Sequence, residues 1–148
     1  MRCEALTDRR RPWLAALTGC AALVLSLAVA GGAADARPKR LDRDEVTALI
    51  TGNTVRGFNP SDDSTYTIFH SGNGEARAVL RNVNGQVSRS DGRWWVNDLG
   101  KLCVKWGNFR WVNSCAVISR DEDAITFLDD NGRIVSFGEV VTGNPDDI

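Results

Sequence analysis

Residues 102–115 read LCVKWGNFRWVNSC, and this stretch indicates the fold of the chain most directly. Two runs rich in Val, Trp and Phe flank Gly107-Asn108, a residue pair that suits a tight turn between antiparallel strands. A cysteine stands near the outer end of each run, at Cys103 and Cys115. The stretch therefore predicts a β-hairpin whose strands are joined by a disulfide bond.

The register of this hairpin stays open at the level of sequence. A two-residue turn at residues 107–108 places Cys103 opposite Val112, short of Cys115. Pairing of the two cysteines therefore requires a longer loop or a β-bulge. Residue types alone do not choose between these two solutions.

One short helix precedes the hairpin. Asp42 is a candidate N-cap, and Glu45 follows it at the spacing of a capping box. Gly52 provides a stop signal. An apolar stripe at helical spacing lies between these signals: Val46, Leu49 and Ile50.

Turn residues then recur at intervals of about ten residues, which is typical of antiparallel sandwiches and barrels. The segments between them are rich in β-branched and aromatic residues: Thr54–Phe58, Thr65–His70, Glu75–Asn82, Gln86–Arg89, Lys101–Trp106, Phe109–Ile118, Ala124–Leu128 and Arg133–Val141. The fourth either ends at the turn signal Asp91-Gly92 or continues into Arg93–Val96. Short turns between neighbours predict an up-and-down meander, and closure of such a sheet removes its exposed edges. We expect a mainly β fold, with one N-terminal helix followed by about eight strands in a closed or nearly closed barrel.

Residues 1–36 have the layout of a secretory signal peptide. A basic segment ending at Arg11 precedes an apolar run over Trp13–Ala30, and Ala34-x-Ala36 is a candidate cleavage site. An uncleaved membrane anchor is the alternative, because the run approaches the length that spans a bilayer. Either reading places the folded part outside the cytoplasm, in the periplasm or the medium.

Cleavage after Ala36 leaves a tether over residues 37–41 and a single barrel-like domain over residues 42–148. Two further export routes remain open. A lipobox-like pattern would lipidate Cys20, and a loose twin-arginine pattern includes Arg10. Membrane contact is expected only through an uncleaved leader.

An exported domain with two cysteines favours a disulfide between Cys103 and Cys115. A metal site would need further ligands, and His70 is the only histidine. We expect neither metal nor cofactor. The chain has 18 basic and 19 acidic residues and no basic block in its globular part, which argues against nucleic acid as a partner. We expect a monomer.

Sequence motifs of catalysis are missing. The chain has no Gly-x-Ser-x-Gly elbow, no His-Glu-x-x-His pair and no phosphate-binding glycine loop. His70 stands alone at the end of a strand, which predicts a surface or turn residue rather than a general base. Residues 129–132 resemble the start of a calcium loop but lack its alternating ligands, so they predict a hairpin turn. We therefore expect no enzyme.

Aromatic side chains are the candidate ligand contacts: Trp94, Trp95, Trp106, Trp111 and Phe69. Packing in the core is the alternative role for these rings. Adjacent residues on a strand point to opposite faces, so Trp94 and Trp95 cannot both face the interior. An open cavity lined by such rings favours binding of a small apolar molecule, lipid or glycan. A filled barrel favours an interaction module, such as an inhibitor or accessory factor, that presents loops like Asn59–Ser64 to an envelope protein.

Four phrases carry a family resemblance: LITGNTVRGFN (49–59), YTIFHSGNGEARA (66–78), DGRWWVNDLGKLCVKW (91–106) and FLDDNGRI (127–134). Together with Cys115 they resemble a family of small exported proteobacterial proteins classed as domain of unknown function 995. The resemblance extends over roughly the whole mature chain. It implies a periplasmic all-β domain of lipocalin-like appearance and brings no catalytic residues. The pair Trp94-Trp95 departs from the single aromatic that is more usual there.

Overall fold

A computed structural model describes residues 38–108 and 111–148, and the predicted signal peptide lies outside these residues. The described part contains one helix and nine strands: β1 (Lys39–Arg40), α1 (Arg43–Ile50), β2 (Asn53–Asn59), β3 (Ser64–His70), β4 (Glu75–Arg81), β5 (Val87–Val96), β6 (Leu102–Trp106), β7 (Ser114–Asp121), β8 (Ala124–Leu128) and β9 (Ile134–Val141).

Strands β2 to β9 form a closed barrel. Each pairs antiparallel with the next in the chain, and β9 pairs with β2 to close the sheet. This arrangement confirms the predicted meander of eight strands. The segment predicted as a tether contains β1, whose exposed Lys39 and Arg40 pair with β7 as an additional strand.

Helix α1 packs at one end of the barrel, where β2 begins and β5 ends. Its capping box is formed as predicted: the Glu45 amide donates to the Asp42 carboxylate at 2.9 Å, and the Asp42 amide donates to the Glu45 carboxylate at 3.0 Å. The helix buries Val46 and Ile50 completely. Because these apolar side chains face the strands, α1 closes this end of the barrel.

Three of the tight turns share one pattern. The side-chain oxygens of Asn82, Asn97 and Asp129 each accept hydrogen bonds from the amides two and four residues later, at 2.8 to 3.0 Å. A glycine with positive φ stands at the fourth position of each turn, as in Gly85 at 78°. This local bonding is why an Asx residue followed by glycine connects neighbouring strands here. The turn beginning at Asp129 confirms the predicted hairpin.

Of the two alternatives for the fourth strand, the continuation is confirmed, because β5 runs through Asp91-Gly92 to Val96. Gly92 pairs with Ala76 on one side and with Trp106 on the other. A Cβ atom at Gly92 would lie 2.8 Å from Cε3 of Trp106 and 2.6 Å from the carbonyl oxygen of Lys105. Here glycine admits a large ring from the neighbouring strand and does not mark a turn.

The cysteine hairpin takes the longer loop. Residues 107–113 connect β6 to β7, and Cys103 lies directly opposite Cys115, to which it is disulfide-bonded. The side chain of Asn113 accepts a hydrogen bond from the Trp106 amide at 2.8 Å, in place of a backbone partner. Residues 109–110 of the strand predicted over Phe109–Ile118 lie outside the described residues, and β7 begins at Ser114.

Candidate functional site

One wall of the barrel carries small side chains on its inner face. Ala78 pairs with Ser90, and both are buried. Ser88 and Gly92 share the inner face with Ser90, since alternate residues of a strand point the same way. Few atoms therefore project inward from this part of the wall, between Leu80 of β4 and Trp94 of β5, and the barrel interior is not filled by its own side chains.

The unfilled interior is a cavity of about 780 Å³. Larger apolar side chains from the other strands line much of it: Val55, Ile68, Leu102, Val104, Trp106 and Phe127. The cavity reaches His70 near the helix end of the barrel. At the opposite end it reaches exposed residues, among them Asp62 and Val112, so it meets solvent at the end where the loops lie.

The ring of Tyr66 packs directly on Gly57 of the neighbouring strand. Tyr66 pairs with Gly57, and a Cβ atom there would lie 2.2 Å from the tyrosine ring. The Tyr66 hydroxyl is 2.5 Å from Oγ of Ser136, which donates to the carbonyl of Phe58 at 3.0 Å. Burial raises the pKa of Tyr66 to about 12, which keeps the hydroxyl protonated. Tyr66 therefore donates to Ser136, and its polar group is satisfied.

His70 is the exception among the buried polar groups. Its side chain is 1% exposed, and neither ring nitrogen makes a hydrogen bond of ordinary geometry with any described residue. The ring packs edge-on against Trp94, with centroids 5.6 Å apart and planes at 88°. Burial lowers the pKa of His70 to about 4, and the backbone of Asn53 and Ile68 opposes this shift less strongly. The imidazole is therefore neutral at physiological pH.

The chain matches the family described as Protein of unknown function (DUF995) over residues 17–129. It belongs to this family. The match confirms the resemblance found in the sequence, and it ends before β9, the strand that closes the barrel. The comparison with curated proteins gives no match.

The DUF995 barrel distributes the five candidate contact residues over different places. Trp106 and Trp111 line the cavity, and their rings lie 4.9 Å apart at an angle of 63°. Trp94 is buried against His70, and its indole nitrogen donates to the carbonyl of Ser71 at 3.0 Å.

The other two candidates belong to the outer face of the DUF995 barrel. Trp95 is 45% exposed and pairs with Cys103. Phe69 is half-buried and alternates with the inward residues Ile68 and His70. Trp94 and Trp95 thus lie on opposite faces, as strand alternation requires.

Sequence reasoning placed His70 on the surface or in a turn, and this prediction is wrong. The residue ends a strand, but it continues the alternation of Tyr66 and Ile68 and therefore shares their inward face. That spacing is the sequence signal that could have shown His70 to face inward. A second missed signal indicated the unfilled interior: small residues recur at every second position of β4 and β5, at Ala76, Ala78 and the serines of β5.

Within residues 38–108 and 111–148, no group of three or more His, Cys, Asp or Glu side chains could hold a metal ion. Nor do these residues include a helix long and apolar enough to cross a membrane. The described lining of the cavity in this DUF995 domain offers apolar surface, hydroxyls, side-chain amides, two carboxylates at the loop end and one histidine.

Proposed function

We propose that the chain is an exported, non-catalytic domain that binds a small apolar molecule or lipid inside its barrel. The cavity of about 780 Å³ carries this proposal. Its size falls within the roughly 300–1,000 Å³ typical of small-molecule sites. Its wall is mostly apolar, so a ligand would be held chiefly by removal of apolar surface from water, at about 25 cal/mol per Å².

The tryptophans at the loop end support this function. Trp106 and Trp111 contact each other edge to face and line the cavity where it approaches solvent. Such rings provide large apolar contact areas with little side-chain freedom to lose. They also offer a readout, because a ligand that enters beside them changes their fluorescence.

Export is supported by the disulfide between Cys103 and Cys115. Disulfides persist in the periplasm and the medium and are rare in the reducing cytosol. The intact mass of the protein recovered from its native cell envelope tests this part of the proposal. We expect the mass of residues 37–148 with both cysteines oxidised, and a full-length, reduced chain would contradict it.

Binding is tested with N-phenyl-1-naphthylamine, an apolar probe that fluoresces when transferred out of water. The Ser88→Phe variant places a ring inside the cavity, which Ser88 lines. Arg89→Phe is the matched control, since Arg89 is the next residue of the same strand and is exposed on the outer face. We expect Ser88→Phe to lose most of the probe binding and Arg89→Phe to retain it. Equal binding by both variants would place the probe elsewhere and contradict the proposal.

A protein-interaction module is the second candidate function. Phe58 and Phe137 lie directly opposite each other on β2 and β9 and are 38% and 43% exposed. A pair of exposed rings on an outer face is a feature of protein contact sites. The double variant Phe58→Ser and Phe137→Ser should then lose an envelope partner and keep the probe, whereas Ser88→Phe should do the reverse.

A further inference from the structure

His70 occupies the inner end of the cavity. It is the last residue of β3 and pairs with Asn53 on β2 and Ala76 on β4. Asn53 is the first residue of β2, so His70 lies at the end of the barrel that α1 closes. His70 is among the residues that line the cavity, and its ring packs edge-on against that of Trp94. Packing against Trp94 therefore fixes the position of the ring.

Two polar atoms without partners at this depth are unusual. Buried side-chain nitrogens almost always have a hydrogen-bond partner, and a missing one costs free energy relative to a bonded group. Nδ1 and Nε2 of His70 both lack a hydrogen bond of ordinary geometry among the described residues, and the nearby backbone of Asn53 and Ile68 offsets the effect of burial only in part. A neutral imidazole has one N–H donor and one acceptor nitrogen, so it can bond a hydroxyl in either direction.

We propose that His70 anchors the polar end of the ligand, and that the ligand is an apolar chain or ring system bearing one uncharged hydroxyl group. This inference rests on the proposed binding function. The hydroxyl lies at His70, and the apolar part extends along the barrel toward Trp106 and Trp111. A hydroxyl can both donate and accept, and it therefore satisfies the imidazole whichever nitrogen carries the proton.

The charges around the cavity select against an ionised head group. Among the described residues, the lining of the cavity includes no lysine and no arginine. Its two carboxylates, Asp62 and Asp129, belong to turns at the loop end. A carboxylate ligand would pass these acids and lose its hydration at the inner end without a cationic partner. Burial also keeps the pKa of His70 at about 4, so its ring supplies no positive charge at neutral pH.

Three ligands of equal chain length test the inference: decanol, decanoate and decane. Each displaces N-phenyl-1-naphthylamine from the purified protein at a pH where decanoate is ionised. We expect decanol to bind roughly tenfold more tightly than decane, the effect of one added neutral hydrogen bond. Decanoate should bind more weakly than decanol. Equal affinity for decanol and decane, or tightest binding of decanoate, would overturn the inference.

His70→Phe removes both nitrogens and keeps a ring against Trp94. We expect it to bind decane as the unaltered protein does and to lose the tenfold preference for decanol. Tyr66→Phe is the matched control, because it removes another cavity hydroxyl that is already bonded to Ser136. It should keep the preference, and a preference lost in Tyr66→Phe but kept in His70→Phe would contradict the role of His70.

The failure of each proposal has its own signature. If none of the three ligands displaces the probe, the binding function and the inference fall together. If all three displace it equally, binding stands and only the anchor at His70 falls. Should His70→Phe not fold by circular dichroism, His70→Gln retains one donor and one acceptor and is expected to keep the decanol preference. Loss of that preference in a folded His70→Gln protein would overturn the hydrogen-bonding role.

Discussion

The two ends of the barrel differ in their exposure to solvent: the helix end is closed, and the loop end is open. At the helix end, Val46 and Ile50 are removed entirely from water and α1 closes the sheet. At the loop end, Asp62 is exposed and Val112 is 80% exposed, and the cavity meets solvent between them. One end therefore supplies stability, and the other supplies access to an interior that its own side chains leave unfilled.

The largest expected effect breaks the closed end. Ile50→Ala removes three buried carbons beneath the helix and should lower the free energy of unfolding by about 4 kcal/mol. Val112→Ala is the control at the open end and should change it by less than about 0.5 kcal/mol, since its side chain is already in water. Urea denaturation followed by tryptophan fluorescence measures both. Similar losses for the two variants would mean that the ends do not differ as described.

The second expected effect is a loss of folding stability in acid, caused by His70. The pKa of His70 is about 4 in the folded protein and 6.5 without burial, so between these values the unfolded chain binds a proton that the folded protein does not. Stability contributed by the neutral ring is present above pH 6.5 and is lost as the pH falls toward 4. The loss amounts to about 3 kcal/mol.

His70→Phe provides the comparison for this acid effect. The difference between the unaltered protein and the variant isolates the histidine from the carboxylates that titrate in the same range. Denaturation at several pH values measures it. The unaltered protein should lose stability more steeply than the variant between pH 6.5 and 4, and parallel curves would show that the ring is accessible to water.

The disulfide between β6 and β7 should contribute about as much to stability. Cys103 and Cys115 close a loop with a sequence separation of 12, which corresponds to about 3 kcal/mol in the chain-entropy treatment. The double variant Cys103→Ser and Cys115→Ser, or reduction of the unaltered protein, should therefore lower the melting temperature. Reduction should leave the double variant unchanged. If reduction does not alter the unaltered protein, the two cysteines are not bonded in solution.

The smallest effect concerns the start of α1. Asp42→Ala removes the side chain that accepts from the Glu45 amide and should cost about 1 kcal/mol. Asp44→Ala is the matched control, because Asp44 is an exposed acid of the same first turn that is not the N-cap. Urea midpoints distinguish them. A larger loss for Asp44→Ala would show that charge near the helix end matters more than the cap.

Much of the architecture could be predicted because it depends on local chemistry. The alternation of apolar residues and the Asx-glycine turns predicted the strands and their order. The spacing of Asp42 and Glu45 predicted the start of the helix. At two positions a distant part of the chain overrides the local signal. Gly92 is of a type that favours turns, but in the structure it makes room for the ring of Trp106. His70 ends a strand, as surface residues often do, but the closed barrel buries it.

The sequence by itself determined a capped helix, a consecutive antiparallel meander and a pair of cysteines within reach of each other. These features follow from hydrogen bonds and side-chain directions within a few residues along the chain. Only the tertiary structure decided that the interior stays open and that His70 is buried at its inner end. Whether a barrel is filled depends on the summed volumes of inward side chains from all eight strands, and that sum has no local signature.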